Sequence, residues 1–460
     1  MRRIPLSKFP TLDFDDQDII DAYDWFRSFL SLNDWMKIKS SIENYLTEIF
    51  EIHDPAESMK DDKLLVINKN RIGWYLYLVY TYIYEQTKYE HFQGARVLPI
   101  FKRLGSNLDS VKQIKGIEKR VRDLLRKRPS EADAVLFEIL TGLVWVSNGW
   151  EVETIDENKG NLGKTPDFLA SKGNESWQVE CKRQSKTSDY AYAEQQKKLD
   201  MINEANDILL EHDIFLVVTF HVELTSLPKN YLKDLLLRII PNFVDKEFLL
   251  KTTEIDVVLK KVDILQINKH LNINFVKHRS PQILELIAGR PVDHLNLTIG
   301  IRGESLYVGE GVINNRYYSE VSNAFGVEFF CDADASLLAK ARDIKKQIHN
   351  ATKQFDISKD AIIHVGMETS EGPEVERVRL EKILQTMDGF DPTGNSLCWV
   401  FCHYFQSYSR SEMNWYYDET VQILTTLRDR MPPIPKHFLI IPEDEVTIIE
   451  GSHWERDIPE

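Results

Sequence analysis

Between residues 132 and 182 the hydrophobic period of the chain switches from that of a helix to that of strands, and acidic residues fall at the switch. The run from Ala132 to Val146 is apolar at helical spacing and carries Glu138 among Val135, Leu136, Phe137, Ile139 and Leu140. Three strand-like segments follow: Gly149 to Ile155, Thr165 to Leu169 with Asp167 behind Pro166, and Ser176 to Lys182. In the last of these, period-two alternation puts Trp177, Val179 and Cys181 on one face and Ser176, Gln178, Glu180 and Lys182 on the other. A helix followed by three strands is thus expected, with a carboxylate and an ammonium aimed at one spot.

The chemistry of that spot is limited by the cost of burying charge. An ionised Glu138 in an apolar helix needs a partner. A divalent cation shared with Asp167 and Glu180 would be one. Hard oxygen donors that leave room for water and phosphate suit Mg²⁺, or Mn²⁺. Such an ion generates hydroxide and stabilises a phosphoryl transition state. Lys182 would orient the attacking water or neutralise developing charge.

The set Glu138, Pro166-Asp167 and Glu180-Cys181-Lys182, with thirteen positions from Asp167 to Glu180, resembles the PD-(D/E)XK, or restriction-endonuclease-like, nuclease superfamily. The resemblance covers residues 130 to 225. It implies an α/β fold with an αβββαβ core and Mg²⁺-dependent phosphodiester hydrolysis, of DNA rather than RNA, in a setting such as bacterial defence. It also implies that Asp167, Glu180 and the Cys181 backbone carbonyl hold the metal, that Lys182 is the catalytic lysine, and that Glu138 is an accessory acidic residue. Glu131, seven residues before Glu138, is the alternative on that helix face.

Composition narrows the setting. A chain of 460 residues has material for two or three domains, and 43% hydrophobic with 28% charged residues reads as globular and soluble. A formal charge of −15 argues against coating nucleic acid by bulk electrostatics, so binding would need a local basic strip or a partner protein. Homo-oligomerisation stays open. The four cysteines form no disulfide framework, the start lacks the apolar run of a signal peptide, and the Tyr-rich segment Trp74 to Tyr84 is too short to span a membrane. A cytoplasmic protein with no membrane contact is expected.

Three regions follow from the pattern along the chain. Residues 1–128 read as helical, 129–240 as the nuclease-like domain, and 241–460 as an α/β region of unassigned role. Asp34 is a candidate N-cap. Lys112 to Arg128 reads as one amphipathic basic helix, whose Arg126, Lys127 and Arg128 are candidates for phosphate contact together with Arg183 and Lys186. Ser130 is expected to cap the helix bearing Glu138. A helix from Tyr190 to Glu211 and a strand from Ile214 to Val222 would complete the helix, three strands, helix, strand order. Beyond 241, Leu295 to Arg302 and Ser305 to Val308 read as a hairpin turning at Gly303-Glu304, and Ala335 to Phe355 reads as a single helix rich in Lys and Arg.

Several look-alikes fail. Gly160 to Thr165 lacks the first glycine of a phosphate loop, since position 158 is Asn158, and Pro166 stands where a helix should open. Cys398, Cys402 and His403 have no partner pair at zinc spacing and read as core. Cys181 is turned away from Glu180 and Lys182. Two non-nuclease readings remain: a nucleic-acid-binding or scaffold protein that keeps the fold, and a plain ion-pair network on the polar face.

Overall fold

The computed structural model describes residues 14–52, 69–155, 165–184, 188–243, 247–292, 296–307, 315–411, 413–426, 431–435, 438–441 and 450–456. Helices come first: α1 (Gln17–Arg27), α2 (Leu32–Ile52), α3 (Arg71–Tyr84), α4 (His91–Ser106), α5 (Leu108–Gln113), α6 (Ile117–Arg126) and α7 (Ala132–Ser147). Then come β1 (Glu151–Thr154), β2 (Phe168–Lys172), β3 (Glu175–Gln184), α8 (Asp189–Glu211), β4 (Ile214–Phe220) and α9 (Tyr231–Ile239). The chain continues through β5 (Glu247–Lys251), β6 (Ile255–Lys261), α10 (Ile264–Leu271), β7 (Val276–Lys277), α11 (Pro281–Ala288), β8 (Leu297–Tyr307) and β9 (Arg316–Cys331). It ends with α12 (Asp334–Lys340), α13 (Lys345–Thr352), β10 (Ala361–Glu368), α14 (Pro373–Asp388), β11 (Leu397–Arg410), β12 (Met413–Thr425) and α15 (His453–Arg456).

The strands form two mixed sheets. The first runs β1-β2-β3-β10-β11-β12, and the second runs β5-β6-β4-β9-β7 with β8 also paired to β9. Strands β1, β2 and β3 form the expected antiparallel meander. The neighbour of β3 on its far side is β10, and the two run parallel, Glu180 lying opposite Ile363. This corrects the expectation for Ile214 to Val222: β4 pairs with β6 and β9 in the second sheet. The chain therefore leaves the first sheet after β3, builds the whole second sheet, and returns at β10. Both β4 and β10 are apolar runs buried on two faces, and such runs fit the middle of any sheet. Their composition does not name their partners.

The period-two alternation of β3 holds. Trp177, Val179 and Cys181 join the large core shared with α7 and the N-terminal helices. The opposite face of β10, with Ile363 and Val365, belongs to a separate core under α13 that includes Ile344 and Ile348. The sheet is thus covered on both sides.

Local details depart from expectation in four more places. Lys112 to Arg128 forms two helices, because the chain turns at Gly116, where φ is +86° and a Cβ would lie 2.2 Å from Thr154 Oγ1. At that turn the Lys115 N–H donates to Val152 O and the Thr154 N–H to Lys115 O, covering the edge of β1. Ser130 does not cap α7, whose cap position is Glu131. Strand β8 runs straight through Gly303-Glu304, with register shifts there in place of a hairpin. Gly303 permits this, since a Cβ would lie 2.1 Å from Glu320 O. Finally, Ala335 to Phe355 divides into α12 and α13.

Candidate active site

Strand pairing assembles the acidic residues. Phe168 lies opposite Val179 in the β2–β3 ladder, so the same register carried one step further sets Asp167 across from Glu180. The Asp167 N–H donates to Val179 O at 3.1 Å, and the Cys181 N–H donates to Asp167 Oδ2 at 2.7 Å. Cys181 gives the centre its backbone, while its thiol is buried and held well up by burial.

On the outer face of β3, Lys182 Nζ makes a close ion pair with Glu180 Oε1, and Gln354 Nε2 donates to the same oxygen at 2.5 Å. Glu180 is 1% exposed, and its Oε2 has no hydrogen-bond partner among the described residues. Lys182 keeps about a quarter of its side chain in solvent, at 26%.

Glu138 reaches the centre from α7, on the Cys181 side of β3. Between it and Asp167 stands Arg120 of α6, whose Nε lies 3.0 Å from Glu138 Oε2 and whose NH2 lies 3.5 Å from Asp167 Oδ1. Arg120 is the charged neighbour that the motif does not include. Its position had a signal: it falls between Ile117, Val121 and Leu124 on the buried face of an amphipathic helix. Gln354 had none, because it comes from a segment 174 positions away from Glu180.

The electrostatics follow from burial and from counting charge. Among the described residues three carboxylates share two contacting cations, Arg120 and Lys182, and Arg128 adds a weaker pull on Glu138. Burial, then Asp167, push Glu138 up to about 8 against the pull of Arg120. Burial and Asp167 likewise push Glu180 up to about 8 against Lys182 and Gln354. Lys182 is itself raised, since Glu180 and Asp167 outweigh the opposing effect of its burial. Burial and the nearby Asp167 thus raise both Glu138 and Glu180, while Lys182 sits directly on Glu180 and Arg120 on Glu138.

The remaining candidates are dispersed. Arg183 turns to the Cys181 side of β3, 9% exposed, where it pairs with Glu368 at 2.7 Å and stacks over Phe405. It is a structural arginine here, which corrects its assignment to phosphate contact. Arg126 and Lys127 are exposed; Arg126 donates to Phe29 O and Lys127 pairs with Asp123. Arg128 pairs with Glu131, which stays about half exposed and outside the centre. Lys186 and the 156–164 loop lie outside the described residues. Cys398 and Cys402 are buried core residues, as expected.

Whether the centre suits a metal turns on its donors. They are hard oxygens, and one buried carboxylate oxygen, Glu180 Oε2, is left over. That chemistry fits Mg²⁺ or Mn²⁺. Among the described residues no three Asp, Glu, His or Cys side chains converge as a ready-made site. Arg120 holds Glu138 and Asp167, so both would have to loosen that contact. No family model, curated protein or solved structure matches the chain. No described helix is long and apolar enough to cross a membrane.

Proposed function

We propose that the protein is a metal-dependent nuclease that hydrolyses phosphodiester bonds, DNA in preference to RNA, at the centre formed by Asp167, Glu180 and Lys182. The observation that carries this reading is the gathering of a buried Glu180 and a largely buried Asp167 and Glu138 beside a part-buried lysine at the junction of β2 and β3. Asp167 and Glu180 would hold Mg²⁺ or Mn²⁺, with the Cys181 carbonyl beside them and Glu138 as accessory. The ion would supply a Lewis acid for the phosphoryl oxygen and an acidified water. Lys182, a quarter exposed on the same face and paired with Glu180, would hold a phosphate oxygen or orient the attacking water with its ammonium. Gln354 fixes the Glu180 carboxylate. The helix α7, the β1-β2-β3 meander and a parallel neighbour on β3 support an αβββαβ core whose last strand is β10, with the second sheet inserted after β3.

The test is cleavage of linear, circular and single-stranded DNA, and of RNA, with Mg²⁺, Mn²⁺ or EDTA. Cutting should require the metal and disappear in Lys182→Ala and Asp167→Ala, with the fold intact by circular dichroism. Activity that survives Asp167→Ala would sink the assignment. One observation favours a second reading: Arg120 closes the gap between Glu138 and Asp167, as it would in a purely structural network. In that case Lys182→Ala would cost stability, because it leaves a buried Glu180 unpaired, and divalent metal would change nothing.

A further inference from the structure

The second basic segment of the chain, 343–359, runs antiparallel to β3 along the face that carries Glu180 and Lys182. Its contacts fix this direction. Gln184 Nε2 donates to Asp343 O at 3.1 Å, Gln354 reaches Glu180, and Gln178 Nε2 donates to Asp356 O and Lys359 O at 2.8 and 3.0 Å. Ile348 and Ala351 bury the inner side of α13. Lys345, His349 and Lys353 repeat every four residues on the outer side, Lys346 flanks them, and all four are exposed.

Residues 344–355 contain no Asp or Glu, in a chain whose net charge is −15. Among the described residues no carboxylate forms an ion pair with Lys345, Lys346 or Lys353. Helix α6, where the sequence suggested the strip, differs. There Arg122 pairs with Glu118, Lys127 with Asp123 and Arg128 with Glu131. In and just beyond α6, then, three of these bases have a carboxylate within four residues, while Arg126 donates to Phe29 O. Those of α13 are left for an external anion. Two lysines at the first two positions of α13 also oppose its dipole, a cost with no internal return.

We propose that the outer face of α13 is a docking strip for the phosphodiester backbone of duplex DNA, leading to Lys182 through Gln354. The row from Lys345 to Lys353 is about 12 Å long, the rise of roughly three to four phosphates of one strand. The proposal rests on the nuclease reading for its occupant, but binding can be read without cleavage.

The experiment is fluorescence anisotropy with a labelled duplex, without divalent metal, across a salt series. It compares wild type, K345Q/K346Q/K353Q and R126Q/K127Q/R128Q. The α13 variant should bind at least about tenfold more weakly at low salt, with a log K against log salt slope shallower by roughly 2 to 3. The α6 variant should match wild type. An unchanged slope in the α13 variant, or a loss confined to the α6 variant, overturns the strip. So does a wild type that binds single-stranded RNA and ignores the duplex. Lys182→Ala that retains duplex binding but not cleavage separates the two proposals: the strip stands on the first result and the chemistry on the second.

Discussion

Helix α7 carries two acids five positions apart, the buried Asp133 and the largely buried Glu138, and their surroundings push them in opposite directions. Asp133 pairs with Arg71 at 2.6 Å and Arg96 at 3.1 Å and accepts from the Tyr75 hydroxyl. Glu368, at the end of β10, shares Arg96 and also pairs with Arg183. That cluster has three arginines for two carboxylates. Burial alone would push Asp133 up, but Arg96, Arg71 and Arg183 outweigh it and hold it at about 2. Around Glu138 burial and the neighbouring Asp167 outweigh the pull of Arg120 and Arg128. Burial is common to both sites; the supply of counter-charge differs. An oversupplied cluster is a finished structural lock joining α3, α4, α7 and β10. At an undersupplied one a proton or a cation would offset the remaining charge.

Breaking the lock should have the largest effect. Asp133→Ala leaves buried guanidinium groups without their carboxylate and should cost about 3–5 kcal/mol of stability by chemical denaturation. Activity per folded molecule should hardly change. Lys182→Ala is the converse: it should lower cleavage by roughly 10²–10³-fold, the usual effect of losing one electrostatic stabiliser. A divalent cation in hundredfold excess over its Kd should stabilise the wild type by about 2.7 kcal/mol.

The last effect should depend on pH, with a fixed sign. Glu138 is raised in the fold, so the folded state holds its proton more tightly than the unfolded chain does. Metal-free stability therefore falls as pH rises from the ordinary carboxylate range through about 8. Metal binding needs the ionised form, so the thermal shift on adding Mg²⁺ or Mn²⁺ should be small at pH 6 and large at pH 9. Asp133 behaves oppositely: its contribution is present above the ordinary range and is lost as pH falls toward about 2. The smallest and most discriminating change is Glu138→Gln. Without metal it should raise stability at pH 9, on the order of 1 kcal/mol, measured as a higher Tm. A lower Tm would mean that Arg120 already neutralises Glu138.

Much of the centre was legible because its determinants are local. Alternation along Ser176 to Lys182 sent Glu180 and Lys182 to one face, and Pro166 set Asp167 at the start of its strand. The rest was not legible, for reasons particular to each residue. Arg183 carries the charge of a phosphate-binding residue, but its partner Glu368 stands on β10, 185 positions away. Arg126, Lys127 and Arg128 form a basic run in sequence, but Lys127 finds Asp123 one helical turn back and Arg128 finds Glu131 across the turn into α7.

The chain by itself determined the helix-to-strand switch at 148–151, the faces of β3 and the residues that can do chemistry, because side-chain periodicity is a property of consecutive residues. Tertiary structure alone decided that β10 lies beside β3, that Arg120 enters between Glu138 and Asp167, and that Gln354 closes on Glu180. Those choices depend on which distant surfaces bury one another best. Two apolar strands that compete for one place differ in what they meet there, and little in what they are.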